Sequence, residues 1–495
     1  MKDQASSDRV VVIGGGVAGI AAAVRLAEEG VAVTLVESRP RLGGRAGSFE
    51  DPATGEMIDN CQHVVLRACT ALVDLYRRLK VVKQMQWFHE LYFADGQGGV
   101  DVLRGDDLPA PLHLVRSLLS FKGMTWGEKW HVMRGVLSVM QVSRRGRWLL
   151  EDESFGGWLR SVGQPEHVIK RFWEPIVVSA CNAYPDETSA SYGLKTMQDG
   201  LLYTDQSYEM GLSLLPLVEL YDAAIPVIEA AGGEVLRPKV CKSLEIDHGG
   251  KRVTAAVLND GTRLEGSAFV SAVPWDRLAA MTDEAAKETD ARLSRLDQLE
   301  ASPIVGVHLY FKPGPNGHAV MELPHLVIRE KTVQWIFNKG MEPEGSSETV
   351  GGAGTQHLHA VISAAEQLMP MSASEIEELV EREVREVLVG EVGRAAGAEL
   401  VHARVVKEKK ATFKPVPGVD RLRPAVAPVG RLCISNLFLA GDWVSTGWPA
   451  TMEGAARSGD LAGRGVLGLL NRDVSGLPAP ASDPRPAMMY RVISG

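Results

Sequence analysis

The sequence predicts an α/β protein organised around a parallel nucleotide-binding sheet, and three observations carry that expectation. A β-branched run, Arg9-Val10-Val11-Val12-Ile13, passes through Gly-Gly-Gly-Val-Ala-Gly into a stretch of helix formers, and a second apolar run follows at 31–36. Near the other end, an apolar run at 436–440 leads through Gly441-Asp442 to another helix-forming stretch at 451–459. Between them lie short strand-like runs at 240–244, 253–258 and 264–273, set off by turn residues such as Asp260-Gly261.

The chain has 495 residues, enough at ~100–200 residues per domain for two or three units with sizeable cores. Lys and Arg total 53 against 62 Asp and Glu, and a formal charge of −9 argues against a nucleic acid held on a globally basic surface. The five cysteines (Cys61, Cys69, Cys181, Cys241, Cys433) form no C-x-x-C pair and no zinc-spaced cluster. They read as reduced thiols of a cytoplasmic protein, with no metal site. The apolar run at 10–13 is far shorter than the ~7–15 residues of a signal-peptide core, and no apolar stretch reaches the ~18–20 residues of a spanning helix. Any membrane contact is therefore expected to be peripheral.

Within the first unit Gly14, Gly16 and Gly19 fit G-x-G-x-x-G, which serves a tight turn, close approach to a pyrophosphate and close helix packing. The amides at Val17 and Ala18 open the helix and face the phosphates. Glu37 lies 18 residues after Gly19, where a carboxylate can accept both ribose hydroxyl hydrogens. Strand, glycine turn, helix and acid in register define a Rossmann-like unit. Next come Ser38, Arg39 and the Gly43-Gly44-Arg45 loop, a second backbone loop and a guanidinium able to reach the same diphosphate. A freely dissociating nicotinamide nucleotide does not need that clamp.

On these residues the chain resembles the FAD-dependent amine oxidase and phytoene desaturase superfamily. The resemblance implies FAD as cofactor. It also implies that Gly441 and Asp442 meet the ribityl or diphosphate region, that Val240 meets the adenine through its backbone, and that Ala450, Thr451 and Met452 stand at the flavin's pyrimidine edge. A helix N-terminus there favours negative charge on the reduced ring. Glu453 reads equally as a flavin neighbour or as a plain helix-start acid.

Residues 1–85, 222–290 and 400–470 are assigned to a discontinuous FAD-binding domain, and 86–221 with 291–399 to an inserted α+β substrate domain. The periodicity over 375–392 predicts an amphipathic helix with a solvated charged face. The Pro-rich stretch at 471–495 predicts a mobile tail. Residues 113–150 hold Arg116, Lys122, Lys129, Arg134, Arg144, Arg145 and Arg147 against Glu128 alone, interleaved with Trp126, Trp130 and Trp148. That pattern suits a membrane-docking helical segment on an anionic surface, at the inner face of a bacterial cytoplasmic membrane. A pair of core helices with solvated Lys and Arg stems fits it as well.

Asp59-Asn60-Cys61-Gln62-His63, Asp205-Gln206-Ser207 and Trp448-Pro449-Ala450-Thr451 resemble hydroxysqualene dehydroxylases, also called squalene-associated FAD-dependent desaturases. That resemblance implies removal of an allylic hydroxyl from hydroxysqualene, with hydride from reduced flavin quenching the cation and a separate electron donor restoring the flavin. Gln62 and His63 are then the candidates to position or protonate the leaving oxygen, with Asp205 or Tyr208 as the reserve acid. His63 reads equally as a hydrogen-bonded structural histidine. Cys61 departs from the glycine of that family and puts a side chain where the backbone approaches the flavin. Two further readings stay open: a carotenoid-type desaturase oxidising a C30 or C40 chain, and a flavin-binding membrane protein without turnover. Amine oxidation is disfavoured because no aromatic pair to flank an amine is identified.

Overall fold

The computed structural model describes residues 9–341, 354–430 and 432–494. Among the described residues, five strands form a parallel sheet in the order Glu234–Leu236, Val33–Val36, Val10–Ile13, Ala268–Ser271, Leu437–Leu439. Its central strands are buried throughout and apolar but for Thr34 and Ser271, as expected where both faces are covered. The first crossover is the helix Val17–Glu28, which ends where Gly30 adopts φ 70°. Against it lies Met452–Leu469, begun by the Thr451 hydroxyl, which accepts from the Gly454 amide at 3.1 Å. A Cβ on Gly459 would stand 2.1 Å from the Ala18 carbonyl oxygen, so the glycine is what lets these two helices touch.

A second sheet runs in the order Glu399–Phe413, Ala301–Lys312, Gln356–Ser363, Trp335–Met341, His325–Val327, Glu90–Ala94, Val100–Arg104. One face is covered by the helix Ala373–Val387, whose Ile376, Val380 and Val384 bury against Val305, Val307 and Leu309. Ser372 and Glu375 start that helix with a reciprocal capping box. The other face looks toward the nucleotide-binding sheet and carries the polar residues described below.

Three expectations need correction. The 400–470 segment does not belong whole to the nucleotide-binding unit: Glu399–Phe413 pairs with Ala301–Lys312 along its length, so the boundary falls after Phe413. The run at 264–273 is two strands, Arg263–Glu265 and Ala268–Ser271, broken at Gly266, where a Cβ would stand 3.0 Å from the Arg9 carbonyl oxygen. The C-terminal segment is not a free tail up to its end. Thr70 donates to the Ser482 carbonyl at 2.9 Å, the Ala487 amide donates to the Tyr203 carbonyl at 2.8 Å, and Tyr490 is buried edge-on against Tyr203. Specific side chains overrode a composition that by itself suggests disorder.

The basic segment forms the helices Val115–Ser120, Trp126–Gln141 and Arg144–Trp148. Its cations do not all face outward. Lys129 is buried with its ammonium on the Leu119 carbonyl at 2.7 Å, and Arg147 is buried on Asp199 at 2.8 Å. Arg116, Lys122, Arg134 and Arg145 remain exposed, beside Trp126 at 72% and Trp130 at 59% exposure. Among the described residues no helix is long and apolar enough to cross a membrane.

Candidate functional site

One cavity of about 1280 Å³ runs from the nucleotide-binding motif to the basic helices. At one end it is lined by Gly14, Gly16, Val17, Ala18, Glu37, Ser38, Arg39, Gly43, Gly44, Arg45, Val240, Gly441 and Asp442. The helix Val17–Glu28 has no side-chain cap, so its first amides stay available to an anion. A Cβ on Gly16 would meet nothing nearer than 3.9 Å, because it would point into the cradle itself. Gly19 is not part of the lining. A Cβ there would lie 1.8 Å from the Gly14 carbonyl oxygen, so this glycine serves packing and touches no ligand.

Glu37 is buried and already braced: one oxygen accepts the Gly15 amide at 2.7 Å, and the other accepts the Arg39 amide at 2.7 Å and the Ser38 hydroxyl at 3.0 Å. It shapes the turn as well as lining the cavity. Arg45 joins the two ends of the chain. Its guanidinium pairs with Asp442, 397 residues away, and donates to the Ala411 carbonyl at 2.7 Å. Burial works against this charge, but the carboxylates of Asp442, Glu408 and Asp276, Asp442 foremost, together more than offset it and raise the Arg45 pKa. Asn60 ties the clamp to the next segment by donating to the Arg45 carbonyl at 2.6 Å.

Ala450, Thr451 and Met452 line the cavity at the start of the second packed helix. Glu453 resolves toward a structural role. Fully buried, it accepts the Ala71 and Leu72 amides at 3.0 and 2.8 Å and pairs with Arg457 at 2.6 Å. It thus caps the helix Thr70–Arg78, and burial raises its pKa.

Gln62 and His63 also line the cavity, and Gln62 accepts from the Lys339 ammonium at 3.2 Å. His63 Nδ1 lies 2.9 Å from the Cys61 carbonyl oxygen. A carbonyl only accepts, so Nδ1 carries the hydrogen and Nε2 keeps the lone pair. Burial lowers the His63 pKa against the opposing pull of that carbonyl and Asp59. The ring is therefore a neutral proton acceptor at neutral pH rather than a ready acid. Cys61 is buried, and burial pushes its thiol up to about 12, which keeps it protonated and unreactive. Asp205 is exposed and outside the lining, so it is removed as a candidate. Tyr208 does reach the lining, but its hydroxyl is engaged by the His89 carbonyl at 2.9 Å and the Gly105 amide at 2.6 Å.

Beyond this polar tip much of the lining is apolar, including Phe93, Phe121, Met133, Met140, Phe172 and Phe337, with Lys195 and Asp199 as a charged pair in the wall. The sequence reading missed a group of imidazoles beside the tip. His308 Nε2 lies 2.9 Å from the Asp59 carbonyl, its Nδ1 lies 2.9 Å from His357 Nε2, and its ring stacks on His359 at 3.9 Å. Burial holds His308 neutral, with its pKa down at about 4, and also drives His357 and His359 well below the ordinary histidine value. The signal lay in His357 and His359, two residues apart on one face of a strand.

A parallel sheet, a glycine cradle at a helix N-terminus and an Arg45–Asp442 clamp opening into a long apolar cavity define a flavin-dependent oxidoreductase. Residues 17–467 match the family of flavin containing amine oxidoreductases, and the chain belongs to that family. It is similar to 15-cis-phytoene desaturase of Synechococcus elongatus, at 26% identity over 96% of this chain and 99% of the relative. It also resembles the chloroplastic/chromoplastic enzyme of Solanum lycopersicum, at 26% identity over 92% of this chain and 77% of the relative. Among solved structures it shares its fold with an oxidoreductase from Methanosarcina mazei (TM-score 0.65, 17% identity, 94% and 100% of the two chains). The same holds for cyclohexylamine oxidase from Brevibacterium oxydans (TM-score 0.64, 19% identity, 94% and 100%). The cofactor is a flavin, and the fit of cradle and clamp to a dinucleotide diphosphate agrees with FAD.

Proposed function

We propose that this flavoprotein transfers a hydride between FAD and a long isoprenoid chain, and that it works as a desaturase of a C30 or C40 substrate. The observation that carries this reading is the single cavity joining the flavin cradle to an apolar channel, with a neutral imidazole at the junction. FAD held by the cradle supplies the hydride acceptor. The channel wall excludes water and aligns the chain by apolar contact alone. His63 Nε2 accepts the proton lost from the adjacent carbon, so the substrate gives up one hydride and one proton for each double bond formed. Kinship with phytoene and zeta-carotene desaturases supports the same reading.

Reductive removal of the hydroxyl of hydroxysqualene is the second reading, favoured by Gln62 under the Lys339 ammonium, a polar pair suited to a leaving oxygen. It needs an electron donor to restore reduced flavin. The direction of the flavin colour change separates the two. Mixed anaerobically with phytoene or squalene, the oxidised protein is expected to bleach. Bleaching with neither hydrocarbon, together with oxidation of photoreduced protein by hydroxysqualene, reverses the assignment. No redox response to any isoprenoid leaves a flavin protein without turnover.

We further propose that the exposed face of the basic helices docks on an anionic membrane and admits the substrate there. Met133, Val136 and Leu137 line the cavity from the same helix, Trp126–Gln141, that exposes Trp126 and Trp130, and Leu118 of Val115–Ser120 lines it beside them. Vesicles containing an anionic lipid are expected to retain the protein at low salt and release part of it at high salt. Trp126→Ala with Trp130→Ala should weaken retention severalfold. Equal partitioning to neutral and anionic vesicles would contradict the electrostatic part.

A further inference from the structure

The C-terminal segment sets a carboxylate, Asp483, against two residues of the cavity lining, Trp448 and Lys195. Asp483 accepts from the Trp448 indole N–H at 2.8 Å, from the Lys195 ammonium at 2.9 Å and from Arg457 at 3.2 Å. Lys195 also pairs with Asp199, which holds Arg147, while Arg457 holds Glu453. Three cations thus face three carboxylates. Lys195 and Arg457 both lie over the Trp448 ring, at 4.2 and 5.1 Å from its centre. Lys195, Asp199, Trp448 and Glu453 line the cavity, and Trp448 directly precedes the Pro449-Ala450-Thr451-Met452 stretch at the flavin end.

The arrangement is built, not incidental. Arg457 donates a second time, to the Ala481 carbonyl at 2.7 Å, and burial opposes the Asp483 charge while Lys195 and Arg457 restore it. Removing this one carboxylate would leave the buried Lys195 with Asp199 alone and the half-buried Arg457 with Glu453 alone, three cations then facing two carboxylates.

We propose that Asp483 is a positioning residue for the flavin: it fixes the Trp448 indole and balances Lys195 and Arg457, so that the C-terminal segment sets the redox poise of the bound cofactor. The inference rests on the flavin assignment and is independent of the substrate. Its test is the midpoint potential of the FAD-loaded protein, titrated anaerobically against a reference dye with no isoprenoid present.

Asp483→Asn keeps an oxygen for the indole N–H but removes the negative charge. It is expected to raise the potential, increasing the ratio of reduced to oxidised flavin at a fixed potential on the order of tenfold, the scale of one uncompensated charge ~12 Å away at an effective dielectric of ~20. Lys195→Met is expected to shift it the opposite way, and the double variant to return toward wild type. Opposite signs are what a merely structural role would not produce. Shifts of the same sign, or none, overturn the proposal. Should Asp483→Asn fail to hold flavin, Lys195→Met alone decides: a fall supports the role, and an unchanged or raised potential overturns it.

Discussion

Gly16→Val is expected to fold and yet to lose FAD. Gly16 sits at φ −74° and ψ 178°, an extended conformation that valine adopts without strain, and an added Cβ meets no atom nearer than 3.9 Å. The same branched side chain would stand in front of the first amides of Val17–Glu28, where the diphosphate must make charge-assisted bonds worth ~1.5–3 kcal/mol each. Losing close approach to even one such amide weakens binding by about 10- to 100-fold, and losing two takes it beyond retention during purification. The check is flavin absorbance of the purified variant beside its thermal unfolding curve. A folded Gly16→Val with full flavin occupancy would displace the diphosphate from this cradle. Gly19→Ala is no substitute for this experiment, because its Cβ collides with the Gly14 carbonyl and the turn itself would fail.

His63→Ala is expected to slow the flavin redox step with substrate by roughly 10²–10⁴-fold, the range typical of a lost acid–base group, while FAD stays bound. The cradle contacts do not pass through the imidazole, which bonds only the Cys61 carbonyl on its own segment. Single-turnover mixing reads the step directly. In the desaturase reading the rate should fall with decreasing pH as the imidazole protonates, at a pH below the ordinary histidine value because burial lowers its pKa. A mild effect in His63→Ala with a severe one in Gln62→Ala would move the proton-handling role to a water held on Gln62. Wild-type rates in both variants would sink the site.

The nucleotide half of the site was legible because each of its residues answers a local demand. Gly14, Gly43 and Gly44 take positive φ, Glu37 ends a buried strand, and Thr451 caps a helix, and each leaves a mark within a few residues of sequence. The rest depends on partners far away along the chain. Asp205 and Gln62 are both polar residues in plausible motifs, and only the tertiary structure puts one in solvent and the other in the cavity. The net positive charge over 113–150 was read correctly as composition, but nothing local reveals that Lys129 finds a carbonyl and Arg147 a buried carboxylate. Likewise the Pro-rich C-terminal stretch gives no hint that Asp483 meets Lys195, 288 residues away. His308, His357 and His359 belong to two strands, so their stack appears only when the strands pair.

The strand order of the nucleotide-binding sheet also governs how the chain must be made. The neighbour of Ala268–Ser271 is Leu437–Leu439, and the partner of Arg45 is Asp442. At a synthesis rate of roughly 5–20 residues per second, the edge of an apolar, pairing-competent strand waits unpaired for on the order of ten seconds or more before its neighbour is synthesised. Closing such distant contacts late is intrinsically slow and exposes sticky edges to other chains. Emergence of the segment from Leu437 onward is thus the expected committing event in biogenesis. Until then the nascent chain is a natural client for chaperones, and early-terminated products should aggregate rather than accumulate as a folded fragment.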